Sequence, residues 1–206
     1  MAKRLVQQPL IFISFFSINE SSRWEVVGRE GGGGVMFDSS HYKNGLNGDF
    51  MSNPDNNVLE LFTGRFEDPE KRDIANNKSQ IIDMLKTECG PFNGSEVLGD
   101  VGSGTGLMLD VFSSSGVGSV MAFDISPVFC EALKERCAKG KMENVSISQC
   151  SSKALGCPDE SLDIAILVDV YHHLEYPLTF NRSLLNSLKP NGKLVILKIK
   201  NQTRTM

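Results

Sequence analysis

The chain has 206 residues, a formal net charge of −4, 40% hydrophobic residues and 22% charged residues. These values are typical of a globular domain with a sizeable core, and they exclude a disordered or fibrous chain. The acidic balance, with no long run of Lys and Arg, argues against nucleic acid as a generic partner.

The cysteines and the N-terminal segment bear on location. The five cysteines form no CxxC pair, which favours reduced thiols in the cytoplasm over a disulfide scaffold or a structural zinc site. Near the N-terminus, Lys3 and Arg4 precede an apolar run, Leu10 to Ile18, that is too short to span a bilayer. This segment is interpreted as a targeting signal, a strand or helix that packs on the domain, or a stretch that does not order.

Composition and hydrophobic pattern divide the chain into three predicted regions. Residues 1–54, which include a run of four glycines, are predicted to be an irregular or flexible leader, because a segment so poor in apolar periodicity repays little of its ordering entropy. Residues 55–93 are predicted to be a helical cap, with a short helix near Val58 and a longer helix from about Pro69 to Thr87. Residues 94–206 are predicted to be the core.

The core alternates between strand and helix patterns. The predicted strands are EVLGDV, SVMAFDI, NVSISQC, LDIAILVDV and GKLVILKIK. The predicted helices are GLMLDVFSS, PVFCEALKERCAKG from Pro127 to Gly140, and PLTFNRSLLNSLK. Short apolar strands separated by amphipathic helices indicate an α/β fold, a doubly wound, Rossmann-like parallel sheet flanked by helices.

A glycine loop follows the first strand of the core. Gly102, Ser103, Gly104 and Gly106 lie where the strand turns into a helix, the place at which doubly wound sheets bind nucleotides. The spacing is GxGxG rather than the dinucleotide fingerprint GxGxxG, so NAD is poorly matched. Asp100, two residues before the loop, suits a ligand that carries an ammonium or sulfonium group.

A second acid ends the next strand. Asp124 lies 22 residues after Gly102, close to the separation of about 20 at which an acid reaches ribose hydroxyls. The alternative is that Asp124 only caps the helix that begins near Pro127.

Taken together, VLGDVGSGTG, AFDIS, LDIAILVDVYHHLEYP and LKPNGKLVIL resemble the successive motifs of class I S-adenosylmethionine-dependent methyltransferases. The resemblance runs from about Glu96 to Lys198 and implies S-adenosyl-L-methionine as cofactor and a sheet of order 3-2-1-4-5. It implies that Asp100 and the glycine loop face the methionine part, that Asp124 faces the ribose, and that Ile125 flanks the adenine.

The sequence departs from the family pattern in two places. Ser151 and Ser152 stand where members often place an acid near the adenine amino group, and they are expected to bind it more weakly. The family fold also continues past its fifth strand with a helix and a final β-hairpin, which is not found after Lys200. The sequence therefore predicts a truncated form with an exposed fifth strand, or a partner that covers this edge.

The candidate catalytic stretch is DVYHHLEYP, at the end of the fourth core strand. Asp169, Tyr171 and His172 are the candidate catalytic residues, with His172 as a general base near neutral pH. Alternatively, one of the adjacent histidines packs and the other lines the cofactor. No metal site is predicted, because neighbouring side chains diverge and no third ligand follows at a suitable spacing.

The leading hypothesis is therefore methyl transfer from S-adenosylmethionine to an unidentified acceptor, a small molecule being favoured, with no stable membrane span. A binding or scaffold module without turnover is the alternative. A nicotinamide-dependent oxidoreductase is disfavoured by Asp100 and by Leu107, which replaces the third glycine of the fingerprint.

Overall fold

The computed structural model describes residues 11–18, 24–26, 47–51, 58–70 and 72–199. The strands in these ranges are β1 (Ile11–Ile18), β2 (Trp24–Val26), β3 (Val97–Val101), β4 (Ser119–Asp124), β5 (Val145–Gln149), β6 (Leu162–Val168) and β7 (Leu188–Ile199). The helices are α1 (Gly48–Met51), α2 (Val58–Phe66), α3 (Asp73–Asn76), α4 (Lys78–Cys89), α5 (Leu109–Ser113), α6 (Pro127–Gly140) and α7 (Pro177–Ser187), with a 3-10 turn at Tyr171–His173.

The strands form one sheet in the order β2-β1-β7-β6-β3-β4-β5. The five strands from β3 to β7 run parallel, and their order confirms the predicted 3-2-1-4-5 arrangement. β4 and β5 lie on one side of β3, and β6 and β7, which come later in the chain, lie on the other side. Such a reversal opens a crevice at the carboxyl ends of the two central strands.

The edge of β7 is covered by the N-terminal part of the chain. β1 pairs antiparallel with β7 from Ile11 opposite Ile199 to Ser17 opposite Lys193, and β2 pairs antiparallel with β1. The prediction of an exposed fifth strand that needs a partner is therefore wrong, because the apolar run of β1 supplies the missing ladder.

This pairing also changes the picture of the predicted leader. Within residues 1–54, β1, β2 and α1 are regular elements, whereas an irregular segment was expected. The division into leader, cap and core remains a prediction, and the glycine run lies outside the described residues.

Apolar side chains cover both faces of the parallel sheet. On one face α4, α5 and α6 pack with residues such as Leu85, Phe112 and Leu133, all fully buried. On the other face α7 contributes Phe180 and Leu184. Burial on both sides explains why the central strands read as continuous apolar runs rather than alternating ones.

Three helices differ from their predicted extents. α7 ends at Ser187, because Leu188 and Lys189 of the predicted helix already belong to β7. The helix expected from Pro69 to Thr87 is divided into α3 and α4 at Asn77, whose side-chain Nδ2 donates to the carbonyl of Asp73 across 2.6 Å. An asparagine that bonds to nearby backbone competes with the helix ladder, which accounts for the break. α5 begins at Leu109, later than expected, because the glycine loop continues as turns to Met108.

The helix predicted over residues 127–140 is confirmed as α6. Pro127 occupies its first turn, and the hydroxyl of Ser126 accepts a hydrogen bond from the Phe129 N–H at 3.3 Å, which caps its N-terminus. No helix in the described part of the chain has the length and apolar character that crossing a membrane requires.

Candidate functional site

A cavity of about 390 Å³ opens at the carboxyl ends of β3, β4 and β6. This volume lies in the range of small-molecule sites, which runs from about 300 to 1,000 Å³. The sequence-predicted residues that line it are Asp100, Gly102, Ser103, Gly104, Asp124, Ile125, Ser151, Ser152, Asp169 and His172. Gly106 and Tyr171 are not among its lining residues.

The three glycines of the loop have different surroundings. A Cβ at Gly102, whose φ is +75°, would stand 2.6 Å from both methyl groups of Val170, so the loop packs directly on the segment after β6. Gly104, at φ +55°, has open space where a Cβ would point. Gly106 instead packs against α6, where a Cβ at this position would lie 2.7 Å from Cδ2 of Leu133. This close contact with the helix explains the glycine.

Asp100 is a buried acid on the cavity wall. Its side chain is only 3% exposed, and its Oδ2 atom has no hydrogen-bond partner among the described residues. Burial raises its pKa to about 7, against a smaller lowering by Ser103. An orphaned carboxylate oxygen facing a cavity is a favourable place for a cationic ligand group.

Asp124 connects the loop to the end of β4. Its Oδ2 accepts a hydrogen bond from the Gly104 N–H at 2.7 Å, and its Oδ1 accepts one from the Ser126 N–H at 2.8 Å. Burial raises the pKa of this carboxyl, and these N–H donors oppose the shift. The side chain that caps the helix is that of Ser126, and Asp124 lines the cavity.

The far end of the cavity is formed by the segment after β5. Cys150, Ser151 and Ser152 lie there. The Ser151 hydroxyl already accepts hydrogen bonds from the N–H groups of Lys153 and Ala154, at 3.2 and 3.0 Å. The hydroxyl that stands in place of the family acid is therefore partly engaged in a local turn.

Asp169 follows β6 with a left-handed backbone, φ +56°. Its Oδ2 forms an ion pair with Nη2 of Arg72 at 3.0 Å, and its N–H donates to the carbonyl of Leu197 at 2.8 Å. The ion pair joins the segment before α3 to the end of the sheet and closes one side of the cavity.

The two histidines share the wall beside Asp169. Their ring centroids are 4.3 Å apart, and His173 also meets Phe50 edge to face at 5.5 Å. Burial lowers the pKa of both imidazoles below the ordinary value of 6.5, and the lowering outweighs the opposite effect of Asp169. Both rings are therefore neutral at pH 7, as a general base requires.

Tyr171, the remaining catalytic candidate, is directed elsewhere. Its phenolic oxygen accepts a hydrogen bond from Nδ2 of Asn181 in α7 at 3.1 Å, and its ring packs against the core on that face of the sheet. The side chain therefore contributes to packing between the 3-10 turn and α7.

Residues of α1 and of the segment just before it also reach the site, which the sequence did not indicate. Nδ2 of Asn47 donates to the carbonyl of His173 at 3.0 Å, and its backbone N–H donates to Glu175 at 3.2 Å. The Ser126 hydroxyl donates to the carbonyl of Phe50. This short segment thus crosses the cavity from the loop after β6 to the start of α6, in a region that was predicted to be irregular.

Side chains at the end of α2 and before α3 were also missed as site residues. Arg65, Phe66 and Arg72 line the cavity. Single arginines and phenylalanines in an amphipathic cap form no sequence motif. Only the three-dimensional structure therefore identifies these residues as part of the site. Among the described residues, no group of three or more His, Cys, Asp or Glu side chains is arranged to hold a metal ion.

The doubly wound parallel sheet, the glycine loop at its switch point and the two buried acids define a nucleotide-type cofactor site without the dinucleotide fingerprint. Comparisons with known proteins agree. A family model described as "Methyltransferase domain" matches residues 99–196. A curated relative, the mitochondrial ubiquinone biosynthesis O-methyltransferase of Schizosaccharomyces pombe, is 30% identical over 109 residues, which is 52% of this chain and 39% of that protein.

Solved structures show the same fold. A SAM-dependent methyltransferase from Aquifex aeolicus superposes with a TM-score of 0.61 at 23% identity, covering 71% of this chain and 76% of that one. A protein from Methanococcus maripaludis gives a TM-score of 0.62 at 18% identity, over 70% of this chain and 64% of that one. The chain is therefore similar to S-adenosylmethionine-dependent methyltransferases, through the family model over residues 99–196 and through the shared fold. It spans 39% of the length of its curated relative.

Proposed function

We propose that this chain binds S-adenosylmethionine in the cavity and transfers its methyl group to a small-molecule acceptor. The observation that carries the proposal is the placement of Asp100, the open face of Gly104 and the carboxylate of Asp124 around one cavity. The relative from Schizosaccharomyces pombe, an O-methyltransferase by name, supports an oxygen atom as the methyl acceptor.

The residues present fit this cofactor. Asp100 offers an unpartnered carboxylate oxygen for the cationic methionine end, and Gly104 leaves its backbone open to a ligand. Asp124 would accept from the ribose hydroxyls, each charged bond contributing on the order of 1.5–3 kcal/mol. Ile125, Ser151 and Ser152 would surround the adenine. When bound, S-adenosylmethionine supplies an electrophilic methyl group on a positively charged sulfur.

The protein's own contribution is positioning and proton removal. His172, which is neutral at pH 7, would take the proton from the acceptor's hydroxyl group. The ion pair with Arg72 would keep the Asp169 side chain in position beside it. The segment around Asn47 and Phe50 covers the cavity and excludes water from the reacting groups. Positioning of this kind supplies up to about 7–11 kcal/mol of barrier reduction.

A binding or scaffold module without turnover is the alternative. Its support in the sequence was the missing final hairpin, and β1 pairs with the edge of β7 that such a hairpin would cover. Detection of methylated product decides between the two.

The test is a calorimetric titration of the purified chain with S-adenosylhomocysteine, with NAD as comparison ligand, followed by an assay with methyl-labelled S-adenosylmethionine and a panel of small hydroxyl compounds. We expect S-adenosylhomocysteine to bind with micromolar affinity, NAD to show no binding, and the label to be transferred to one class of acceptor. A folded chain that binds NAD and no S-adenosylhomocysteine contradicts the proposal. Binding without transfer to any acceptor supports the scaffold alternative.

A further inference from the structure

Arg136 of α6 contacts the glycine loop from outside the cavity. Its Nη1 atom donates to the carbonyl of Thr105 at 3.0 Å and to Oε1 of Glu67, the residue that follows α2, at 2.6 Å. Thr105 lines the cavity, whereas neither Arg136 nor Glu67 is among the described residues that do so. One nitrogen atom therefore joins the loop to the end of α2.

The backbone at Thr105 is a place where the loop needs such a restraint. Gly104 and Gly106 stand on either side of it, with φ of +55° and +87°, and glycine restricts the backbone less than any other residue. The carbonyl of Thr105 and the N–H of Gly106 belong to one trans peptide group, so they point in opposite directions. Arg136 holds the carbonyl, and the carbonyl of Ser103 accepts from that N–H at 2.9 Å. The two bonds together fix the peptide plane between two flexible residues.

The stem of the Arg136 side chain packs closely against the same loop. A Cβ at Gly106 would lie 3.1 Å from Cδ of Arg136. The side chains of Arg136 and Glu67 are 30% and 21% exposed, and charge-assisted bonds such as theirs are shorter and stronger than neutral ones. Because a partly buried pair is screened less than an exposed one, Glu67 orients the guanidinium group.

From these contacts we infer that Arg136 is a positioning residue for cofactor binding, which holds the Thr105 peptide in place without touching the ligand, and that Glu67 acts through it. The proposed function places the methionine part of S-adenosylmethionine against Gly104, the neighbour of Thr105. A shift of this peptide therefore changes the surface that the ligand meets. The inference rests on the proposed function, because it assigns two more residues to the same site.

A substitution of Arg136 is compared with a matched control on the same helix. Arg136→Met removes both donated hydrogen bonds and keeps a long side chain against the loop. Lys134→Met removes one positive charge from an exposed position, where the lysine pairs with Glu131. We expect Arg136→Met to weaken binding of S-adenosylhomocysteine about tenfold, the factor that corresponds to the loss of one charged hydrogen bond, and Lys134→Met to bind like the wild type. Calorimetric titration of the full chain, at a temperature where both variants are folded, measures the change.

A combined variant separates positioning from stability. Arg136→Met leaves the partly buried carboxylate of Glu67 without this partner, which lowers the Tm. Adding Glu67→Gln removes that charge, so the Tm of the combined variant should rise above that of Arg136→Met, whereas its affinity for S-adenosylhomocysteine should stay equally weak. Recovery of the affinity together with the Tm would show that the pair only stabilises the fold, and it overturns the inference. An Arg136→Met protein that binds as tightly as Lys134→Met overturns it as well.

Failure of the proposed function has a different signature, which hydrogen exchange of the ligand-free chain reveals. The Gly106 N–H, which donates to Ser103, should exchange about tenfold faster in Arg136→Met than in the wild type, while amides within α7, on the other face of the sheet, keep their rates. If the wild type binds no S-adenosylhomocysteine, the proposed function fails, and faster exchange at Gly106 still supports Arg136 as the residue that positions the loop. Unchanged exchange at Gly106 overturns the inference whatever the ligand titration shows.

Discussion

The backbone N–H of Gly104 donates to Oδ2 of Asp124 across 2.7 Å, which ties the glycine loop to the end of β4. The second oxygen of the same carboxylate accepts from the N–H of Ser126 at the start of α6. One buried side chain therefore sets the spacing between the loop that would hold the methionine part of a ligand and the strand end that would hold its ribose.

Asp124→Ala is expected to weaken binding of S-adenosylhomocysteine at least tenfold, because it removes both the proposed acceptor for the ribose hydroxyls and the contact that positions the loop. Calorimetric titration measures the change. Asp159→Ala, in an exposed turn outside the cavity, is the matched control and should bind like the wild type. Equal affinities of the two variants would show that Asp124 does not contact the ligand.

Gly102→Ala is expected to destabilise the fold and to abolish cofactor binding. The left-handed backbone costs about 1–2 kcal/mol for a residue with a Cβ, and the new methyl group would lie 2.6 Å from the side chain of Val170. Thermal unfolding should show a Tm several degrees below that of the wild type.

Gly64→Ala is the control for the glycine substitution. Gly64 lies within α2, has no positive φ and has no atom within 4 Å of a built Cβ. The substitution should leave the Tm unchanged or raise it, since alanine is favoured over glycine in a helix by up to about 1 kcal/mol. A Gly102→Ala protein as stable as Gly64→Ala would contradict the described loop packing.

Binding of S-adenosylmethionine is expected to weaken as the pH falls through about 7. The pKa of Asp100 in the ligand-free fold is raised to about 7, and a cationic ligand group lowers it, so binding releases a proton below that pH. Affinity should rise with pH and level off above about 7. Calorimetry in buffers of different ionisation enthalpy measures the proton directly.

Asp100→Asn is the control for this pH dependence, because it keeps the shape of the side chain and removes the titration. Its affinity should be lower and nearly independent of pH between 6 and 8. S-adenosylhomocysteine, which lacks the sulfonium charge, should show a shallower dependence with the wild type. A steep dependence that persists in Asp100→Asn would assign the proton to another group.

His172→Gln is expected to lower kcat about 100-fold or more with little change in cofactor affinity, the usual contribution of a general base. Burial lowers the pKa of His172 below 6.5, so the imidazole stays neutral to a more acidic pH than free histidine does. The wild-type kcat at saturating cofactor should therefore stay constant to a pH below 6.5 and fall only at more acidic pH. Rates with the acceptor that the methyl-labelling assay identifies check both statements. His173→Gln, which loses the contact with Phe50, should raise the acceptor KM more than it lowers kcat.

The pairing of β1 with β7 predicts unequal effects of proline at two neighbouring positions. Ser14 lies opposite Ile196 and Phe15 opposite Val195, and N–H groups of consecutive strand residues point to opposite sides. One of Ser14→Pro and Phe15→Pro therefore removes a hydrogen bond to β7, and the other does not. The Tm values of the two variants should differ by several degrees. If both variants had the Tm of the wild type, the pairing would be contradicted.

The local sequence is enough to predict the parallel core and most of the cofactor side of the site. The apolar runs of β3 to β7 and the capped helix after Ser126 are local patterns, and the order 3-2-1-4-5 followed from the family resemblance. Asp100, Gly102 and Asp124 were identified because each lies at a strand end within a short motif, and strand ends of a parallel sheet meet at one edge.

The cap side of the cavity and the edge of the sheet depend on contacts between distant parts of the chain. Asn47 meets Glu175 across 128 positions and Arg72 meets Asp169 across 97, and no local pattern encodes either pair. The apolar run of β1 was visible in the sequence, but its place beside β7 follows from unpaired backbone groups on an edge more than 170 residues away. The sequence by itself determined the strands of the parallel core, most of its helices and the chemistry of the loop. Only the tertiary structure decided which cap residues close the cavity, because packing and long-range ion pairs act between residues that the sequence does not place together.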